Sequence, residues 1–262
     1  VKIVVKVGTS TLAHASGQLN IRRTEVLCRT LSDIKNMGHE VILVSSGAIG
    51  MGVGKLSLGK RPTDIATKQA AAAVGQCELM YTYDKLFGEY HHTVAQILLT
   101  GDDLAEGVRH ENFKNTMSRL LELGALPIIN ENDTVATDEI KVGDNDTLSA
   151  LVAVSIEADL LVLLSDIDGL FTKDPHKHPD AQLIPLVERL TDDVLALAEG
   201  AGSALGTGGM RTKLAAAELC MKGGCDMIIT NGRDPSVLYR ILENESTPCT
   251  RFTAKGEKGG EA

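Results

Sequence analysis

Lys6 stands near the end of an apolar N-terminal run, and Gly8-Thr9-Ser10 follows it. A lysine in that position can snorkel to water along its own stem. It can also aim a cation at a phosphate, with Gly8 letting the backbone come close to the anion. A second turn of small residues, Ser45-Ser46-Gly47-Ala48, lies where a strand runs into a helix, so its amide N–H groups are free for an anion. Two clusters rich in acids and amides follow, Asn130-Glu131-Asn132-Asp133 and Gly143-Asp144-Asn145-Asp146. They suit the ammonium of an amino acid, or a magnesium ion held through water, or plain Asx turns. Gly206-Thr207-Gly208-Gly209-Met210-Arg211-Thr212-Lys213 is a glycine-rich turn that opens a helix, with Lys213 inside it. The unpaired N–H groups of a first helical turn favour phosphate there. The P-loop pattern is nevertheless unmatched, because Leu214 follows Lys213, and the dinucleotide pattern fails because Arg211 replaces its third glycine. Ser165-Asp166 closes an apolar run and could hold the ribose or the base edge of an adenosine.

These loops need a frame. Lys2 to Val7 reads as a strand rich in β-branched residues, and Gly8 to Thr11 as a polar turn. Val26, Leu27, Leu31 and Ile34 recur at helical spacing within 21–37, with Gly38 as the stop. A strand over 40–44 completes a β-α-β pattern, which predicts a parallel sheet with right-handed crossovers. Further helices are expected over 64–88, 112–123, 145–156, 210–222 and 237–242. Strands are expected over 94–99, 126–130, 159–165 and 227–230, with a short one near Thr250. In open α/β sheets ligands sit at such strand ends and helix starts. A soft lobe boundary falls near Glu157, and the composition shift from Thr253 onward predicts a disordered tail over 253–262.

Composition narrows the function. The 262 residues suit one large α/β unit or two lobes sharing a sheet. Aromatics are 3% and Trp is absent, so base-stacking platforms for single-stranded nucleic acid are disfavoured. A formal net charge of −9 repels phosphate backbones and anionic lipid. A small anionic substrate must therefore find local positive charge, which makes the placement of Lys6 and Lys213 informative. The five cysteines form no Cys-x-x-Cys pair and read as reduced thiols. No His-Glu-x-x-His pattern, signal peptide or membrane span is visible, and the expected location is the cytoplasm.

Lys6-Val-Gly-Thr-Ser10, Val44-Ser-Ser-Gly-Ala-Ile49, Asn130-Glu-Asn-Asp133, Val142-Gly-Asp-Asn-Asp146 and Gly206-Thr-Gly-Gly-Met210 with Lys213 occur in that order. Together they resemble the signature loops of the amino acid kinase family, over residues 1 to about 252. The acid and amide loops point to its glutamate-phosphorylating branch rather than to the acetylglutamate, aspartate, carbamate or uridylate kinases. Many members of that branch carry a C-terminal PUA domain, and a form without it is expected here.

The resemblance implies an α/β/α sandwich around a mostly parallel, roughly eight-stranded sheet. Residues 1–157 would bind L-glutamate and 158–252 ATP, with Mg2+ carried on the nucleotide and no dedicated metal site. It also implies roles. Lys6 and Lys213 would neutralise charge during transfer, positioned by Asp146. Ser46, Gly47, Ala48, Asp133, Asp144 and Asn145 would bind glutamate. Lys6, Gly8, Ser165, Asp166 and the run Thr207, Gly208, Gly209, Met210, Arg211, Thr212, Lys213 would hold ATP. Proline as a feedback inhibitor, and a homo-oligomer of two or four subunits, are further expectations of the same kind. The nucleophile would be a carboxylate already ionised at neutral pH, since a Glu side chain titrates near 4.3. No general base is then needed, and catalysis rests on positioning and charge neutralisation.

Overall fold

A computed structural model of the chain describes residues 1–14, 18–136, 145–198 and 209–254. Its centre is one eight-stranded sheet in the order β3-β4-β2-β1-β5-β7-β8-β6. The strands are β1 (Lys2–Val7), β2 (Glu40–Ser45), β3 (Val94–Leu99), β4 (Leu126–Glu131), β5 (Leu160–Ser165), β6 (Leu186–Val187), β7 (Asp226–Asn231) and β8 (Cys249–Phe252). Every pairing is parallel except β7 with β8. The helices are α1 (Thr9–Leu12), α2 (Ile21–Asn36), α3 (Ala48–Lys55), α4 (Ile65–Gly88), α5 (Val108–Glu122), α6 (Asn145–Ser155), α7 (Asp192–Ala196), α8 (Met210–Lys222) and α9 (Val237–Leu242).

Side chains alternate across a strand, so each strand feeds two cores. Ile3, Val5 and Val7 pack with α2, α4 and α9 through Leu27, Leu31, Tyr83, Phe87 and Leu238. Val4 faces the other layer, where α5, α6 and α8 contribute Met117, Leu148, Val152, Leu214 and Ala217. Parity therefore puts Lys6 on the layer of α6 and α8. β1 lies between β2 and β5, so the chain reverses its direction of winding at β1. The crevice at the carboxyl ends of β1, β2 and β5 is the expected ligand position for such a sheet.

The expected sandwich is what forms, with differences in detail. The turn expected over 8–11 is a single helical turn, α1, because Leu12 is drawn into the core beneath it. α5 starts at Val108 rather than at Asn112. β6 has only two residues and no periodicity to reveal it. The tail expected from Thr253 begins with two fixed residues: Thr253 N–H donates to the Val187 carbonyl at 3.2 Å and Ala254 N–H to Asp226 Oδ1 at 3.0 Å. The remaining tail, 255–262, lies outside the described residues. Among the described residues no helix is long and apolar enough to cross a membrane.

Candidate active site

Three elements bring three buried charges together. Lys6 comes from β1, Asp146 from the first turn of α6, and Lys213 from the first turn of α8. Lys6 Nζ lies 2.5 Å from Asp146 Oδ1, and Lys213 Nζ lies 3.0 Å from Asp146 Oδ2. Asp146 is fully buried and each lysine is 6% exposed. Lys6 therefore does not snorkel to water. Thr212 Oγ1 lies 3.2 Å from Asp146 Oδ2 and donates to the Gly209 carbonyl at 2.8 Å. Ser149 Oγ donates to the Asp146 carbonyl at 2.6 Å, which ties the start of α6. Two ammoniums thus share one carboxylate. In a water-poor crevice such a pair of cations interacts strongly with an arriving polyanion. A Cβ on Gly8 would sit 3.7 Å from Lys6 Nζ, so the β1–α1 turn runs directly beside this charge.

Next to the cluster lies a network of amides. Asn145 Nδ2 lies 2.7 Å from Ser46 Oγ, 2.9 Å from the Ser45 carbonyl and 3.1 Å from Asn130 Oδ1, its two hydrogens shared among the three acceptors. The β2–α3 and β4 exits are thereby joined to the start of α6. Gly47, at φ 109°, makes the sharp entry into α3, and Ala48 is buried beyond it. α3 can lie this close to α4 only because of glycine. A Cβ on Gly75 would stand 1.7 Å from the Ala48 carbonyl oxygen, and one on Gly52 1.8 Å from that of Ala71. Ser45 points to the other layer and shares a hydrogen bond with Tyr83 Oη at 2.8 Å.

Glu131 and Asp133 leave β4 into the same region. Burial, and secondarily the charge of Asp133, push the Glu131 carboxyl up to about 7. Burial also raises Asp133, against the opposing charge of Arg61. For an acid raised in the fold, the native state holds more protons than the unfolded chain, so stability falls as pH climbs from about 4.5 to about 7. Glu131→Gln should flatten that decline. Thermal melts from pH 4.5 to 7.5 check it, and parallel curves for the two proteins would contradict the assignment to Glu131.

On the far side of β1, Ser165 is buried and its Oγ donates to Asp166 Oδ1 at 3.1 Å. Asn231 Nδ2 reaches Asp168 Oδ1 at 2.8 Å, tying the exits of β5 and β7. Met210 is buried at the start of α8, behind the Gly209 cap, while Arg211 is exposed. Of the expected site residues, Lys6, Asp146 and Lys213 meet directly, as do Ser46 and Asn145. Asp133 makes no hydrogen bond to that set; its charged neighbours are Glu131 and Arg61. Asp144, Thr207 and Gly208 lie outside the described residues. Gln76, Tyr83 and Asn231 join the site without having been singled out. Gln76 had one usable signal: it is a polar residue on the stripe Ala72, Leu79 and Tyr83 that α4 buries.

This arrangement was compared with known proteins. A model described as the amino acid kinase family matches residues 1–231. The glutamate 5-kinase of Clostridium perfringens is 52% identical over 260 residues, covering 98% of this chain and 97% of that protein. That of Clostridium tetani is 54% identical over 244 residues, covering 93% and 91%. That of Caldanaerobacter subterraneus is 52% identical over 254 residues, covering 97% of this chain and 68% of that protein. Among solved structures, carbamate kinase from Giardia lamblia bound to AMP-PNP superposes with a TM-score of 0.69 at 19% identity, over 96% of this chain and 98% of that one. UMP kinase from Ureaplasma parvum gives 0.66 at 15%, with the same coverages. Identities that low speak for the fold alone, but the family model and the sequence relatives span most of the chain, signature loops included. With the buried lysine–aspartate–lysine cluster at the crevice of this sheet, they establish that the chain belongs to the amino acid kinase family.

Proposed function

We infer that the protein transfers the terminal phosphoryl group of ATP to the side-chain carboxylate of L-glutamate, giving L-glutamyl 5-phosphate, the opening step of proline biosynthesis. The observation that carries the chemistry is the pair of buried ammoniums on Asp146, next to the Asn145–Ser46 amide cluster. Glutamate 5-kinases at 52–54% identity over nearly the whole chain support the substrate.

The main barrier is repulsion between a carboxylate nucleophile and a triphosphate. Lys6 and Lys213 offset it, each aimed by one oxygen of Asp146 and so needing little reorganisation as charge develops. Asn145 and Ser46 bind glutamate, with Asp133 supplying charge for its ammonium. Gly47 and Ala48 open α3, whose first amides have no intrahelical acceptor. Ser165 and Asp166 at the end of β5, with the segment leading into α8, hold the nucleotide. The glutamate side thus draws on residues before 157, and the ATP side on residues after it together with Lys6 and Gly8.

Magnesium accompanies ATP in this reading. Among the described residues no group of three His, Cys, Asp or Glu side chains could cage a metal. Magnesium commonly rests on substrate phosphates and waters with only one or two carboxylates, so the residues present are compatible with it. When bound it adds positive charge at the phosphates. Feedback by proline and assembly into a homo-oligomer belong to the same proposal, supported by kinship and, for proline, by the α-carboxylate and cationic nitrogen it shares with glutamate.

The test is glutamate-dependent release of ADP from Mg-ATP, with hydroxylamine trapping the acyl phosphate as a hydroxamate. Equal ADP release with N-acetylglutamate would overturn the substrate assignment.

A further inference from the structure

Gln76 lies on α4, in the layer opposite α6 and α8, and is 8% exposed. Its Oε1 accepts from Asn130 Nδ2 at 2.9 Å. Asn130 is 2% exposed, and its Oδ1 accepts from Asn145 Nδ2 at 3.1 Å and from the backbone N–H of Glu131 at 2.9 Å. Asn145 Nδ2 donates in turn to the Ser45 carbonyl and Ser46 Oγ. The ends of this chain allow no ambiguity. The Ser45 carbonyl can only accept, so the group facing it is the NH2 of Asn145. The Glu131 N–H can only donate, so the group facing it is the oxygen of Asn130. Asn130 must then offer its NH2 to Gln76, and Gln76 must answer with oxygen. What remains is a buried Nε2 on Gln76 with no acceptor among the described residues. An unmade hydrogen bond of this kind is costly, and a glutamine that merely filled space on α4 would be better replaced by an apolar residue.

We propose that Gln76 is a positioning residue for substrate specificity. By holding the Asn130 amide, it keeps in place the Asn130 oxygen that the Asn145 NH2 faces and so steadies Asn145; the Ser45 carbonyl turns that NH2 inward and leaves the Asn145 carbonyl oxygen for the substrate. An acceptor in that place fits a donor, and the free ammonium of an α-amino acid is one. The same oxygen gives an N-acylated amino acid, which has lost the cation, much less. Three side chains from α4, β4 and α6 thus translate one buried hydrogen bond into a preference for an unacylated substrate. The proposal rests on the glutamate reading above.

The decisive comparison is between Gln76→Leu and Gln76→Glu. Leu removes the acceptor for Asn130, whereas Glu keeps an oxygen at the same reach. Gln76→Leu should raise the glutamate KM about tenfold or more, the loss of one well-formed buried hydrogen bond, while the KM for ATP stays within about twofold. The ratio of activity with glutamate to that with N-acetylglutamate should fall as well. Gln76→Glu should recover most of the lost glutamate affinity. A purely structural tie between α4 and β4 would instead lower the melting temperature of Gln76→Leu and leave the glutamate KM and the selectivity ratio unchanged; that result would overturn the proposal. If Gln76→Leu does not fold, Gln76→Met, which has nearly the same length and also lacks the acceptor, replaces it, and wild-type KM and selectivity in that variant would be equally fatal. Should the wild-type enzyme itself release no ADP with glutamate, the functional reading has failed rather than the role of Gln76.

Discussion

Lys213→Ala should cost roughly 10²–10³-fold in kcat, the usual effect of deleting one preorganised electrostatic donor, with far smaller changes in either KM. Lys6→Ala should behave alike. The geometry makes the comparison clean. Asp146 holds one lysine on each oxygen, so either single variant leaves the buried carboxylate a cationic partner and the fold should survive. Arg should not restore turnover at either position. Both lysines are 6% exposed and hemmed in by α6 and α8, where a planar fork cannot replace a compact ammonium. If both act on one transition state, as proposed, the double variant should lose less than the product of the singles. The competing view makes them structural props for Asp146. It predicts lowered melting temperatures with near-normal kcat. Turnover beside a thermal melt separates the two, and a folded Lys213→Ala protein with wild-type turnover would end the mechanism.

Much of this could be read before any coordinates. The β-branched run of β1 and the uniformly apolar run of β5 are written in residue types, and so is the helical stripe of α2. What periodicity could not supply was parity across elements. That Lys6 shares a face with α6 and α8, and Ser45 faces α4, follows from the order of strands and from where each crossover lands. Lys6 by itself was equally consistent with a lysine reaching for water. Only the arrival of Asp146 from a helix far along the chain decides the matter. The run Gly8 to Thr11 reads as a polar turn; Thr9, Ser10 and Thr11 are indeed weak helix formers, yet α1 forms and Leu12 is buried. Gln76 was hidden for the opposite reason. An Ala-rich helix absorbs one polar residue without breaking its pattern, and the partners that give Gln76 meaning, Asn130 and Asn145, lie on other elements.

Asp146→Asn should strongly destabilise the fold, and the damage should be partly repaired by nucleotide. The substitution keeps volume and shape but removes the carboxylate that Lys6 and Lys213 share. Two nearly buried ammoniums then face each other across a neutral amide. Breaking a buried ion pair by deleting one partner costs on the order of 3–5 kcal/mol. For a chain of this size that corresponds to a fall in melting temperature of about 10 °C or more. In the proposed reading ATP or ADP would bring phosphate oxygens to the same two cations and so supply the folded variant with a charge that it lacks. Ligand that favours the folded state raises its stability by mass action. The nucleotide-induced rise in melting temperature should therefore be larger in Asp146→Asn than in the wild type. Turnover should not follow, because phosphates that replace Asp146 as the counter-charge hold the lysines in a ground-state position instead of leaving them aimed at the transferring group. Scanning melts with and without ADP, beside kcat, tests both halves. A variant with an unchanged melt, or one whose response to ADP is weaker than the wild type's, would show that Asp146 does not aim these lysines at phosphate.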